Sequence, residues 1–331
     1  MKIAIVKLSA MGDIVHSMVV LQVIKKYRPD IKIDWYVDER FYQIVSYNKD
    51  IENIYSLSLK SPNKLKSLFK LVQNCFALSN KKKYDLIIDL QGLLKSALLT
   101  YFLPSKDKAG FSAKSCKEPI SAIFYNKKFE INYSENVILR NILLATNILG
   151  IRFKFDEILK KDPFLFFDKK YAIPSFASGK KVLIIPSASF KSKEYPYKNY
   201  REIIKSLNAV FFICWGSEYE KELATKISTG NKNSRVIDKI NLMELKSLIS
   251  QMDLVIGGDT GPLHIAWALN IPSIGLFGPT PYKRNFLETE INIPLHSGEC
   301  IDLNRIQKQQ SSIQSITVDK VCKIAEQFLE D

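Results

Sequence analysis

Residues able to do acid–base or anion chemistry recur in this chain directly after short apolar runs. The first set, Ser9-Ala10-Met11-Gly12-Asp13, follows an apolar run at 3–6 and leads into helical spacing at 14–27. A carboxylate there can cap the helix at its N-terminus, worth about 1 kcal/mol, or project from the turn as a general base for a hydroxyl. Gly12 is isolated, the next glycine being Gly92, and no G-K-[ST] triplet occurs. The turn is therefore neither a dinucleotide fingerprint nor a triphosphate-binding loop.

The second set is Gly257-Gly258-Asp259-Thr260-Gly261-Pro262-Leu263-His264, after an apolar run at 253–256. Pro262 suits the first turn of a helix, and Thr260 or Gly261 suits its cap. Open backbone N–H groups and the helix dipole there fit a diphosphate. Asp259 would repel phosphate, so it is better suited to accept from sugar hydroxyls or to fix the turn. His264 falls one turn inside the helix, as a site residue or as a core histidine satisfied by backbone. The third set spans 186–196, where Ser187, Ser189 and Lys193 could offset charge on a departing nucleotide or simply be a solvated loop. The fourth is Trp215-Gly216-Ser217-Glu218-Tyr219-Glu220. Glu220 could accept from ribose hydroxyls or complement a helix dipole.

The elements that must hold these sets alternate. Strand-like runs at 3–6, 31–37 and 84–90 are interleaved with helical spacing at 14–27 and 93–102. The alternation breaks into a charged, aromatic stretch and then restarts: strands at 181–185, 209–214 and 253–256, helices at 200–207, 217–227, 242–249 and 262–269, the last running into 272–277. Such alternation implies βαβ units and parallel sheets. The chain of 331 residues exceeds one ordinary hydrophobic core. Two α/β domains are expected, at 1–160 and 181–315, joined by a linker at 161–180 and followed by a helix at 316–331. Ligands of open parallel sheets lie beyond the carboxyl ends of the strands, so a central cleft between the two domains is the expected site.

Composition narrows the class. Hydrophobic residues make up 46% and charged residues 25%, which excludes disorder. The formal charge of +14 draws anionic partners: nucleic acid, an acidic bilayer or an anionic substrate. Lys60, Lys64, Lys66, Lys117, Lys127 and Lys128 contribute clusters, with no aromatic-interleaved nucleic-acid module beside them. The five cysteines are scattered without a C-x-x-C pair, as suits a reducing compartment and neither a disulfide framework nor a zinc site. No apolar stretch reaches the length of a membrane span, so a cytoplasmic protein is expected.

In order along the chain, S-A-M-G-D-I-V-H-S, D-L-Q-G-L-L-K-S, K-E-P with F-Y-N-K-K, K-E-Y-P, W-G, G-D-T-G-P-L-H and L-F-G-P-T resemble the ADP-heptose:lipopolysaccharide heptosyltransferases, over about residues 1–285, and most the heptosyltransferase I branch. The resemblance implies a GT-B fold: two Rossmann-like parallel-sheet domains facing a cleft, the N-terminal one binding acceptor, the C-terminal one ADP-heptose, with the last helix returning to the N-terminal domain. It implies inverting transfer of L-glycero-D-manno-heptose to the Kdo of Kdo-lipid A, in lipopolysaccharide inner-core synthesis at the inner membrane's cytoplasmic face. No metal or cofactor beyond the donor sugar nucleotide is implied, and no nucleic acid partner.

By the same resemblance Asp13 is the base. Ser189, Lys193, Glu220, Ile240, Asp259, Thr260, Gly261 and His264 bind the donor. Ser9 and Gly12 lie on the acceptor side, where the basic clusters add Lys60, Lys64 and Lys117. The chain departs from the pattern at Ala188, where a hydroxyl residue is expected, and at Lys117, where Arg is expected and a planar fork becomes a point charge. The rival readings are heptosyltransferase II or another heptose-adding enzyme, a nucleotide-sugar epimerase of the same architecture, and a basic nucleic-acid-binding protein.

Overall fold

The computed structural model describes residues 1–59, 70, 73, 83–174, 178–186, 193–278, 281–297 and 312–330. Lys60, Lys64 and Ser189 lie outside the described residues. The chain divides into two compact units, Met1–Phe166 and Phe167–Asp331.

In the first unit β1 (Lys2–Val6), β2 (Lys32–Asp38), β3 (Asn53–Leu57), β4 (Tyr84–Asp89), β5 (Ser105–Phe111) and β6 (Lys127–Phe129) form a parallel sheet in the order β3-β2-β1-β4-β5-β6. Ile3 sits opposite Ile33 on one side and Leu86 on the other. A strand flanked on both edges and covered on both faces reads as an unbroken apolar run, as Ile3–Val6 does. The chain lays β2 and β3 to one side of β1, then crosses back to lay β4, β5 and β6 on the other. The strand order therefore reverses between β1 and β4, and a crevice opens there at the carboxyl ends.

Helix α1 (Met11–Tyr27) follows β1, α2 (Leu94–Phe102) follows β4, and α3 (Val137–Leu149) closes the unit. Helix α1 packs on α3, where Asn141 donates to Ser17 Oγ at 3.0 Å inside the core. Covered by the sheet on one side and α3 on another, α1 buries every residue from Ile14 to Leu21.

The second unit repeats the plan. Strands β7 (Lys181–Ile185), β8 (Val210–Ile213), β9 (Ser234–Val236), β10 (Leu254–Gly258), β11 (Ser273–Phe277) and β12 (Asn292–His296) run parallel in the order β12-β11-β10-β7-β8-β9. Their helices are α4 (Tyr197–Ser206), α5 (Glu218–Ser228), α6 (Leu242–Ile249) and α7 (Gly261–Ala268). Here the order reverses between β7 and β10.

Two expectations are corrected. The stretch expected as a linker at 161–180 is divided between the two units at Phe166–Phe167, and its start is packed. Phe164 and Leu165 are buried, and Asn48 donates to the Phe164 carbonyl at 3.1 Å, so this part belongs to the first unit. The Tyr171 N–H donates to Ser247 at 2.6 Å, which ties that part to the second. The last helix, α8 (Val318–Leu329), expected to reach the N-terminal domain, packs on α4, β10 and β11 of the second unit. Val321, Cys322 and Ala325 are its buried stripe and join that unit's core. No helix among the described residues is long and apolar enough to cross a membrane.

Candidate active site

Each unit places chemistry at its own switch point. In the first, helix α1 begins at Met11, three residues earlier than its apolar spacing suggests, and its N-cap is Ala10, which has no side chain to cap with. Asp13 is the third helical residue, and its Oδ2 reaches back to accept the Ala10 N–H at 3.2 Å. The side chain is exposed, and Oδ1 has no partner among the described residues. One oxygen thus serves the helix start while the other can accept a proton.

The turn after β4 supports the turn after β1. Gln91 Oε1 accepts the N–H groups of Leu8 (2.7 Å) and Ser9 (3.2 Å), and its Nε2 donates to Ser9 Oγ at 3.3 Å. Lys95, on the first turn of α2, also donates to Ser9 Oγ, at 3.2 Å. Burial pushes the Lys95 ammonium below its ordinary range, against the pull of Asp38. Asp38 ends β2 in a two-point pair with Arg40, both contacts at 2.8 Å. Glu118 accepts the Leu94 N–H at 2.7 Å, which fixes the start of α2. Neighbouring Lys117 is exposed.

Asp89, fully buried at the end of β4, shapes this turn. Its Oδ1 accepts from Gln91 N–H (2.8 Å) and Gly92 N–H (3.2 Å), and its Oδ2 from the Tyr125 hydroxyl (2.7 Å). Burial raises its pKa while those donors pull it down. Gly92 sits at φ +66°, a left-handed conformation that favours glycine. Gly110 on β5 leaves room for the Tyr125 ring, which a Cβ there would strike.

In the second unit Lys193 follows β7 and Asp259 follows β10. Lys193 Nζ lies 3.0 Å from Asp259 Oδ2, both side chains nearly buried at 13% and 9% exposure. His264 Nε2 lies 3.4 Å from Asp259 Oδ1. Burial alone would raise the Asp259 pKa, but His264 and Lys193 outweigh it and hold the carboxyl well below the usual range. Thr260 is the N-cap of α7, yet its hydroxyl bonds the Gly258 carbonyl at 3.3 Å rather than capping the helix. The first-turn N–H groups of α7 therefore carry no side-chain cap, as an anion site requires.

Ser217 and Glu220 form a capping box at the start of α5. Glu220 Oε2 accepts from the Gly216 and Ser217 N–H groups, while Ser217 Oγ accepts the Glu220 N–H at 3.3 Å. Tyr219 donates to Glu194 at 2.9 Å, which joins the turn carrying Glu220 to the turn carrying Lys193. Trp215 donates to the Ile237 carbonyl at 2.7 Å. Lys221 and Lys239 stand 4.9 and 5.7 Å from its ring centre. Ile240 is half-buried in the segment between β9 and α6.

The structure thus joins Lys193, Asp259 and His264 in one cluster, and sets Ser9 beside Gln91 and Lys95. His264 meets a carboxylate rather than backbone alone, and Lys193 carries a carboxylate partner that its position in the chain does not announce. The candidate residues taken from the sequence omit Gln91, Lys95 and Glu118. The ordered segment Gln91-Gly92-Leu93-Leu94-Lys95-Ser96 was the available signal for the first two and Lys117-Glu118-Pro119 for the third, and only pairing of β1 with β4 brings Gln91 and Lys95 to Ser9.

Comparison with known proteins identifies the family. Residues 77–327 match the model of glycosyltransferase family 9 (heptosyltransferase). Lipopolysaccharide heptosyltransferase 1 of Campylobacter coli is 35% identical over the full length of both chains. Its namesake from Escherichia coli K12 is 27% identical over 85% of this chain and 88% of its own. Among solved structures, E. coli heptosyltransferase WaaC with ADP superposes with a TM-score of 0.81 at 25% identity, covering 99% of this chain and all of that one. The two parallel α/β units are accordingly those of the GT-B fold, and the chain belongs to glycosyltransferase family 9, the heptosyltransferases.

Proposed function

We propose that this glycosyltransferase moves L-glycero-D-manno-heptose from ADP-heptose to the Kdo of Kdo-lipid A, with inversion and without a metal or other cofactor. The observation that carries this reading is a division of chemistry. The first unit's switch point offers a carboxylate with one oxygen unpartnered among the described residues, and the second's offers a nearly buried cation beside a helix N-terminus without a side-chain cap. The Kdo hydroxyl attacks the anomeric carbon as its proton passes to Asp13, and the bond from that carbon to the diphosphate oxygen breaks. Charge on the departing ADP is met by Lys193, Ser189 and the Thr260-Gly261 turn. Asp259 holds Lys193 and His264 and accepts from heptose hydroxyls, while Glu220 and Ile240 border the nucleoside. Ser9 and Gly12 shape the acceptor side, where Lys60, Lys64 and Lys117 meet anionic groups of Kdo and lipid A. The enzyme works at the cytoplasmic face of the inner membrane.

The names of the similar enzymes support this reading, above all the full-length heptosyltransferase 1 relative. The test is to incubate the protein with ADP-heptose and either Kdo-lipid A or a heptose-bearing core acceptor, with and without EDTA, and to weigh the products. One added heptose on Kdo-lipid A, unaffected by EDTA, is expected. Transfer only to the heptose-bearing acceptor would move the assignment to a later step, and loss with EDTA would overturn the metal-free mechanism.

A further inference from the structure

Helix α2 and the 3-10 segment Pro119–Phe124 lie side by side in the first unit. Their starts are joined by Glu118 accepting from Leu94, and their ends by the Tyr101 and Phe124 rings, 5.6 Å apart. This ties Leu94 and Tyr101 on the helix to Ile120 and Ile123 on the segment. All four are exposed, at 37%, 54%, 58% and 67%. Beneath them Ala97, Ala122 and Tyr125 form the packed layer, so these apolar side chains are surplus to the core. Large apolar groups gathered on a surface mark a contact site.

The charges around them are positive on balance. Asp107 is matched by Lys127 and Glu130 by Lys114, and exposed Glu118, its carboxylate bonded only to the neutral Leu94 N–H among the described residues, stands against three lysines. Lys106, Lys117 and Lys128 are exposed and have no acidic partner among the described residues. An apolar centre with a lysine collar has the makeup of a surface that enters the headgroup layer of an anionic bilayer.

We infer that Leu94, Tyr101, Ile120 and Ile123, collared by Lys106, Lys117 and Lys128, seat this enzyme on an anionic lipid surface. The inference deepens the proposed reaction, whose acceptor is a lipid, but its test does not depend on catalysis. Cosedimentation with phosphatidylcholine vesicles, with and without phosphatidylglycerol, measures it directly. The unaltered protein is expected to bind the anionic vesicles. Ile120→Ser with Ile123→Ser should weaken binding about tenfold or more, since each isoleucine no longer leaves water. Lys106→Gln with Lys128→Gln should weaken it several-fold, and only where phosphatidylglycerol is present.

Ile123→Trp, an exposed change that keeps the fold, should add a blue-shifted tryptophan signal on meeting anionic vesicles. Heptosyl transfer to an acyl-free, water-soluble acceptor should be unchanged in the serine variant, while transfer to acceptor embedded in vesicles falls. Failure of the unaltered protein to bind, equal binding by the serine variant, or an unshifted signal from the introduced tryptophan would each overturn the inference. Capture of a protein partner by this surface without vesicle binding would overturn it too. Loss of transfer to the soluble acceptor by the unaltered protein would instead count against the reaction and leave the vesicle result standing.

Discussion

At Asp13 the two oxygens of one carboxylate have different surroundings. Oδ2 accepts from Ala10, and Asn at this position would still offer an oxygen for that bond while losing the ability to take a proton. Asp13→Asn is therefore expected to fold normally and to lose about 10²–10⁴-fold in kcat, the usual worth of a general base. Asp13→Ala should lose a similar factor and also about 1 kcal/mol of stability. A folded Asp13→Asn enzyme with near-normal kcat would return the residue to capping alone. Lys193 needs a more careful experiment, because its removal leaves Asp259 nearly buried with His264 and a long bond from Asn285 but no full cation. Lys193→Ala should lower both turnover and stability, the latter by about 3 kcal/mol. Adding Asp259→Asn should recover much of the stability. Turnover should stay low, because the cation opposite the leaving group is still missing. Recovery of turnover along with stability in the double variant would show that Lys193 acts only through the fold.

Among the elements, the turn after β4 is the most informative. Asp89 is buried at a strand end, and its three donors come from Gln91, Gly92 and Tyr125. Gly110→Ala should push the Tyr125 ring off its place and strip one donor from a buried carboxylate. Overpacking and the lost bond together should cost about 2–4 kcal/mol in chemical denaturation. Tyr125→Phe removes the hydroxyl without the clash and should cost about 1–3 kcal/mol. Stability within about 0.5 kcal/mol of the parent in both variants would mean that the turn is held by backbone alone. The glycine at 92 and the polar residues around it show in the sequence as a turn. That the turn serves Leu8 and Ser9, some eighty residues earlier, does not show, because parallel neighbours in a sheet are set by crossover topology rather than by adjacency in the chain.

For the molecule as a whole, the described core contains one ammonium on α6 that has to give up its proton. Lys246 is fully buried, and burial brings its pKa down to about 7, against a weak opposing pull from Asp168. Between that value and the ordinary lysine range the unfolded chain holds a proton that the folded chain does not. Stability must then rise with pH from about 7 towards 10, by up to about 1.4 kcal/mol per pH unit from this group. Burial brings Lys161 down to about 7 as well, so denaturation at pH 7 and pH 9 should show a smaller gain in Lys246→Met than in the parent, and equal pH slopes would refute it.

The alternation of short apolar runs with helical spacing was enough to establish two parallel α/β units, because a strand covered on both faces cannot hide its composition. The motif order was enough to establish the family. The sequence also located the turns that carry Asp13, Lys193, Glu220 and Asp259, since glycine, proline and capping residues act locally. Only the tertiary structure decided which turns meet. It paired Lys193 with Asp259, 66 residues on, and set Gln91 and Lys95 against Ser9. It also buried Phe164 and Leu165 in the first unit, tied Tyr171 to the second, and packed the last helix on the second unit. Each of these outcomes depends on where a crossover returns its strand and on which buried charge or apolar face then lacks a partner, and no spacing along the chain records that.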